Sequence, residues 1–200
     1  MLDDFLPQQA AETMLAQILA AEPGFTPSEI GRGVTSRVNV DYRSSLRLPG
    51  RVGVDLTPLV DAIGARLDAL CTGAGVRTFP VAHHELSIVA HRDGDFYKPH
   101  IDTRTGATDG RSIRVVSCVY YLHRPQRGFS GGELAIHPIM GGGEPILIEP
   151  RHNRLAIFPS FIPHEVLPTR SSGSFADSRF SVNCWLHQAR RPGPVTGDCA

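Results

Sequence analysis

The chain has 200 residues, and 20 Lys and Arg balance 20 Asp and Glu, so the formal net charge is zero and bulk electrostatics offers no attraction to a nucleic acid. With 41% hydrophobic and 20% charged residues it is an ordinary globular chain rather than a disordered one, long enough for one domain with a real core. Four cysteines (Cys71, Cys118, Cys184, Cys199) show no CxxC spacing, which argues against a disulfide framework or a zinc knuckle.

The opening "MLDDFLPQQA" is acidic and carries no basic segment or long apolar run. It reads as neither a signal peptide nor a membrane span, and a cytoplasmic location is the expectation. "PQQAAETMLAQILAAEPGF" predicts a short helix: Met14, Leu15, Ile18 and Leu19 recur at helical spacing and "EPG" stops it. The polar, Arg-rich "GRGVTSRVNVDYRSSLRLPG" predicts a strand and a loop. A second helix is predicted in "DLTPLVDAIGARLDALCTGAG", capped by Asp55 or Thr57, with Pro58 in its first turn and Gly73 and Gly75 ending it. Its buried stripe would be Leu59, Ile63, Leu67 and Leu70.

From about residue 81 short β-branched runs alternate with turn clusters: "ELSIVAH", "FYKPHID", "IRVVSCVYYLH", "GGELAIHP", "PILIEP", "NRLAIFPS", "HEVLPT" and "RFSVNCWLH". Helices first and strands after disfavour a Rossmann arrangement. The expected fold is mainly β with flanking helices, a jelly-roll over 81–190 supported by a helical segment over 1–80, all within one domain spanning 1–200. Cys118 and Cys184 fall in apolar strands and are expected to be buried free thiols.

Within "FYKPHID", His100 and Asp102 are two residues apart, which on a strand puts both on one face. His164, in "FPSFIPHEVLP", supplies a third candidate ligand. Two histidines and a carboxylate suit Fe(II) and leave open coordination positions; a zinc hydrolase can use the same set. In "SRFSVNCWLH", strand alternation turns Arg179, Ser181, Asn183 and Trp185 one way and Phe180, Val182, Cys184 and Leu186 the other. An Arg on so neutral a strand needs a buried anion, either an internal carboxylate or that of a ligand. Tyr121 in "SCVYYLH" can add its hydroxyl to the same anion or simply pack, while Tyr120 faces the opposite side.

The order HxD, "VYYL", "SGGEL", "FPSxxPHEV", "RFxxxxW", over roughly 80–187, resembles the prolyl-hydroxylase-like branch of the Fe(II)/2-oxoglutarate-dependent dioxygenases. The resemblance implies a double-stranded β-helix of the cupin-like, jelly-roll kind, with His100, Asp102 and His164 as iron ligands. It implies that Arg179, assisted by Tyr121, binds the distal carboxylate of 2-oxoglutarate. Asn183 on the same strand face joins them as a cosubstrate contact, and the "SGGEL" turn is architectural. It further implies O2 as the second cosubstrate, ascorbate as a candidate reductant, and hydroxylation of a substrate C–H bond with release of succinate and CO2. Halogenating members lack the carboxylate ligand, so Asp102 points to hydroxylation.

Three departures stand out. Fifteen positions separate His164 from Arg179, so a loop at the site edge is expected and Arg170 competes for the carboxylate. Where relatives often place a tyrosine ahead of the HxD strand, "IVAHRDG" offers Ala90 and His91. Asn183 and Trp185 follow Arg179 on its face. The substrate is expected to be an amino acid, a short peptide or a small metabolite, with a protein prolyl residue or a hydrolase or isomerase reaction as alternatives. Lys98, Arg43, Arg47, Arg114 and Trp185 are candidate substrate contacts, and "DTRTGATDGRS" is a candidate lid. Neither a nucleic acid nor a membrane is an expected partner.

Overall fold

The structure is a computed structural model and describes residues 1–31, 36–103, 111–140 and 142–190. Helix α1 spans Gln8–Ala20 and buries Ala11, Met14, Leu15 and Ile18, the predicted stripe. The second predicted helix forms as two, α2 (Thr57–Ala65) and α3 (Leu67–Gly73). The break is at Arg66, whose backbone leaves helical geometry (φ −116°, ψ 14°). Its guanidinium donates to the Phe5 carbonyl at 3.3 Å and lies 4.8 Å over the Phe5 ring. The N-cap position of α2 is Leu56 rather than Asp55 or Thr57, and the Asp55 carboxylate, one residue before it, accepts from the Thr57 N–H at 2.9 Å.

Strand β1 (Thr26–Pro27) precedes the Arg-rich segment, and β2 (Arg43–Ser44) and β3 (Leu46–Leu48) come from it. The rest follow: β4 (Val81–His91), β5 (Phe96–His100), β6 (Ser112–Leu122), β7 (Phe129–Gly131), β8 (Leu134–Ile136), β9 (Ile146–Ile148), β10 (Arg154–Pro159), β11 (His164–Val166), β12 (Thr169–Ser171) and β13 (Arg179–Ala189). They build a six-stranded sheet, β1-β3-β4-β13-β6-β10, and a five-stranded sheet, β2-β5-β11-β8-β9, with β12 and β7 pairing at the side. Every pairing between these strands is antiparallel. The N-terminal segment therefore supplies helices and also strands to both sheets.

Side-chain alternation sorts the six-stranded sheet into two faces. The outer face carries Ile88, Val116, Cys118, Tyr120, Val182, Cys184 and Leu186, which pack with Met14, Ile18, Leu59, Ile63 and Leu70 of the helices. Cys118 and Cys184 are buried free thiols and stand opposite each other in the β6–β13 ladder. The inner face meets the five-stranded sheet through a smaller cluster: Tyr121, Leu134, Ile148, Ala156 and Phe158. Most apolar packing is thus behind the large sheet, and the space between the sheets is left partly open.

Asn153, at φ 58°, ties the N-terminal residues to the sheet. Its side chain accepts from the Leu6 N–H (2.9 Å) and the Tyr120 hydroxyl (2.7 Å) and donates to the Leu6 carbonyl (2.8 Å). Among the described residues no helix is long and apolar enough to cross a membrane. Ile63 is fully buried where α2 meets the sheet, so Ile63→Ala should lose about 2–5 kcal/mol of stability; a urea midpoint equal to that of the parent would show that this packing contributes little.

Candidate metal centre and the pocket behind it

Strands β5 and β11 are neighbours, and His164 stands directly opposite His100. Each imidazole is held by its Nδ1: His100 to the Lys98 carbonyl and His164 to the Ile162 carbonyl, both at 2.9 Å. A carbonyl only accepts, so Nδ1 carries the hydrogen in both rings and each Nε2 presents a lone pair. Those two lone pairs converge on Asp102. Its Oδ1 is 3.9 Å from Nε2 of His100 and its Oδ2 is 3.5 Å from Nε2 of His164, and one ligand atom from each residue lies within 4.8 Å of the others.

Asp102 is not on the strand, which ends at His100. The chain turns there, and the N–H groups of Asp102 and Thr103 both donate to the Ser160 carbonyl at 2.9 Å. The Ser117 hydroxyl donates to Asp102 Oδ2 at 2.7 Å. Burial works to raise the Asp102 pKa, but His164 and His100, with the Ser117 hydroxyl and Trp185, hold it below the usual carboxylate value. Burial, reinforced by the neighbouring His164, pushes His100 down to about 3. Carboxylate and neutral imidazole are the protonation states a divalent cation needs.

Lys98 does not share this face. Val166 opposes Tyr97 while His164 opposes His100, so three steps along β5 match two along β11. One residue is bulged out at Lys98–Pro99, where Pro99 has no N–H to give to a ladder. The bulge reverses the alternation: Lys98 is exposed, and Tyr97 takes the inward position with its ring stacked on His100 at 3.6 Å. Arg114 is also committed elsewhere. It forms a two-pronged pair with Glu85 (2.9 and 2.6 Å) and lies 3.8 Å over the Trp185 ring, with Nη1 3.7 Å from Asp102. Its geometry is that of a brace for Asp102 rather than of a free substrate contact.

Behind these three residues lies a cavity of about 310 Å³, whose walls include Arg179, Ser181, Asn183 and Trp185 of β13. The alternation read for this strand is therefore the one it adopts, with Phe180, Val182, Cys184 and Leu186 in the outer core. Arg179 is 1% exposed. No carboxylate among the described residues is within ion-pair distance of it, so the internal salt bridge is absent there. Instead Nε donates to the Gly132 carbonyl (2.7 Å), Nη1 reaches His91 Nδ1 (3.3 Å), and the guanidinium lies 4.9 Å from the Tyr121 ring centre. The Tyr121 hydroxyl is buried without a hydrogen-bond partner, as is Nε2 of His91. A buried cation with two unused polar atoms at its side fits a ligand carboxylate.

His91, at the end of β4, lines the same cavity. Burial, then Arg179 and Arg43, keep its pKa well below the ordinary value, so it is neutral. Because Nδ1 faces the Arg179 N–H, the ring hydrogen sits on Nε2, which is then a donor. The "SGGEL" turn also does more than shape the chain. Gly131 and Gly132 both have φ of 70°, and a Cβ at Gly132 would fall 2.7 Å from Cδ of Arg179 and 2.8 Å from Oγ1 of Thr169. Only glycine lets the guanidinium stem lie there.

The loop between His164 and Arg179 does not edge the site. Residues 169–171 pair with β7 as β12, and Phe175 packs on Phe25 and Phe180. Arg170 is exposed and outside the cavity, so it is no rival for Arg179. Arg43 and Arg47 do line the cavity, Arg47 paired with Glu29 at 2.9 Å. Most of the candidate lid, residues 104–110, lies outside the described residues, as does Cys199.

A model of the 2OG-Fe(II) oxygenase superfamily matches residues 86–187. A PKHD-type hydroxylase of Synechocystis is 28% identical over 196 residues, covering 94% of this chain and 62% of that protein, so the chain spans less than two thirds of this curated relative. Among solved structures, a Pseudomonas putida prolyl-4-hydroxylase aligns with TM-score 0.67 and 25% identity over 94% of this chain and 91% of the other. A Trichoplax adhaerens prolyl hydroxylase, solved with a peptide fragment of a hypoxia-inducible factor, shares the fold with TM-score 0.64 and 21% identity, over 92% of this chain and 81% of the other.

Gly132→Ala should lower stability by about 1–3 kcal/mol and weaken 2-oxoglutarate binding together, because the methyl displaces Arg179; calorimetric titration showing parental affinity would refute the cradle. A second expectation concerns pH. Burial lowers His91 and His100 from the ordinary 6.5, so only the unfolded chain takes up protons there as the pH falls. Stability of the metal-free protein is therefore fully present above about pH 6.5. Below it, stability falls by at most about 1.4 kcal/mol per pH unit for each histidine. Urea melts from pH 7 to 5 check this, and His91→Phe should remove part of the slope.

Proposed function

Because the chain belongs to the 2OG-Fe(II) oxygenase superfamily, whose members use Fe(II), 2-oxoglutarate and O2, we propose that it hydroxylates an unactivated C–H bond of an amino acid, short peptide or small metabolite. Succinate and CO2 are the co-products. The observation that carries this reading is Arg179: a guanidinium buried without a carboxylate partner among the described residues, in the same cavity as His100, Asp102 and His164.

His100, Asp102 and His164 would hold Fe(II), which with 2-oxoglutarate and O2 supplies the oxidising chemistry. The chain's own residues do the rest. His164 and His100, then Ser117 and Trp185, favour the ionised form of Asp102, and Arg114 stands 3.7 Å from it. Arg179 binds the distal carboxylate of 2-oxoglutarate, and Tyr121 and His91 offer O–H and N–H donors beside it. Asn183 lines the same wall. Val119, Leu134 and Val166 give the cavity its apolar walls. A prolyl residue in a peptide is the second reading. Its support is the likeness to the Pseudomonas putida prolyl-4-hydroxylase over 94% of this chain.

Succinate should form from 2-oxoglutarate with Fe(II) in air and not under anaerobic conditions; oxygen-independent turnover would point to a hydrolase or isomerase instead. Asp102→Ala should abolish that turnover. Arg179→Ala should raise the 2-oxoglutarate requirement roughly 30-fold or more, as loss of a buried charge pair worth about 2–5 kcal/mol demands, while iron binding persists. An unchanged requirement would remove Arg179 from the role.

A further inference from the structure

The cavity holds a second cation whose charge nothing in the described structure balances. Arg43 lies on β2, opposite Tyr97 of β5. Its guanidinium carbon is 4.6 Å from the Tyr97 ring centre, and Nε donates to the Ser45 hydroxyl at 3.1 Å. Tyr97 in turn stacks on His100, so a single aromatic ring separates Arg43 from a candidate metal ligand.

The other charged groups lining the cavity are accounted for in pairs. Arg47 meets Glu29 at 2.9 Å, and Arg114 meets Glu85 at 2.6 Å. Asp102 is the candidate anionic ligand. A ferrous ion with Asp102 and one 2-oxo-carboxylate carries no net charge, and the distal carboxylate of the same molecule offsets Arg179. Arg43 remains. Among the described residues no carboxylate lies within ion-pair distance of it. Burial lowers its pKa, with Tyr97 and Asp102 opposing the shift. Guanidinium does not shed its proton in proteins, and Arg43 is half-buried, so its charge faces the cavity without an anionic partner among the described residues.

We propose that Arg43 is the anchor for a substrate carboxylate, and that the substrate class is a free amino acid or another small carboxylic acid, or the C-terminal residue of a peptide. This deepens the hydroxylase reading and rests on it. Planar guanidinium and carboxylate match as a two-pronged pair, which fixes the orientation of a small molecule as well as its position. The cavity, about 310 Å³ for cosubstrate and substrate together, sits at the small end of ligand sites. A prolyl residue inside a peptide chain would bring no carboxylate to Arg43, only a neutral amide.

The test is anaerobic calorimetric titration of the full chain loaded with Mn(II) and 2-oxoglutarate, so that binding is read without turnover. The probes are the proteinogenic amino acids, their carboxamides, and dipeptides with free C-termini. At least one carboxylate should bind ten-fold or more tightly than its amide. Arg43→Met should erase that preference, and Arg43→Lys should keep part of it. Binding of dipeptides but not of free amino acids would name the chain terminus as the source of the carboxylate. Equal affinity for acid and amide, a preference surviving in Arg43→Met, or no carboxylate binding at all would overturn the proposal. Loss of 2-oxoglutarate affinity in Arg43→Met would overturn it differently, by giving Arg43 to the cosubstrate while the hydroxylase reading stands. Failure of the parent chain to bind 2-oxoglutarate with Mn(II) would remove both.

Discussion

One backbone pairing organises the site: β11 lies antiparallel to β5 with His164 facing His100. Sixty-four positions of sequence close into a ring-to-ring centroid distance of 4.2 Å. Each imidazole then spends its Nδ1–H on a carbonyl two residues earlier, so neither can rotate its Nε2 away without losing that hydrogen bond. Asp102 is brought to them by a different device, two N–H groups on one Ser160 carbonyl. The three candidate ligand atoms are thus held together by the ladder and the turn, which meet the entropic cost of assembling them.

The opposite wall is built to hold something unfavourable. A fully buried guanidinium without a carboxylate costs stability, and the sheet keeps it there because β13 is paired along its length with β4 on one side and β6 on the other. The helices behind that sheet supply the apolar packing that offsets the cost. Gly132 gives the stem of Arg179 room and its carbonyl gives Nε a partner, while His91 takes one Nη. The head of the fork keeps bonding capacity for a ligand. Arg43, on the five-stranded sheet, repeats the theme with less burial and a shared aromatic neighbour.

The reading of individual residues succeeded where the backbone is regular and failed where it is not. Alternation along β13 placed Arg179, Ser181, Asn183 and Trp185 in the cavity because all eleven residues form one strand, with irregular register only near its end. The same rule put Lys98 with His100, and a single bulged residue beside Pro99 sent Lys98 outward and Tyr97 inward. Arg114 looked free because its partner, Glu85, is 29 positions away on a strand it does not adjoin in sequence. The two glycines of "SGGEL" announced a turn, but not that Arg179 would lie against the second of them. His91 carried a weak signal, standing at the end of an apolar β run, and became meaningful only as the register partner of Arg179.

By itself the sequence determined the chemistry available: two histidines and an aspartate in metal-ligand order, a lone arginine on a neutral strand, and apolar periods that separate helices from strands. Those are properties of residue type and local spacing, and short-range sterics and burial enforce them wherever the chain goes. Only the tertiary structure decided which charges are spent on one another and which face the cavity unpaired. Pairing of that kind depends on strand register and on one-residue bulges. Long-range hydrogen bonding sets these, and no local pattern encodes them.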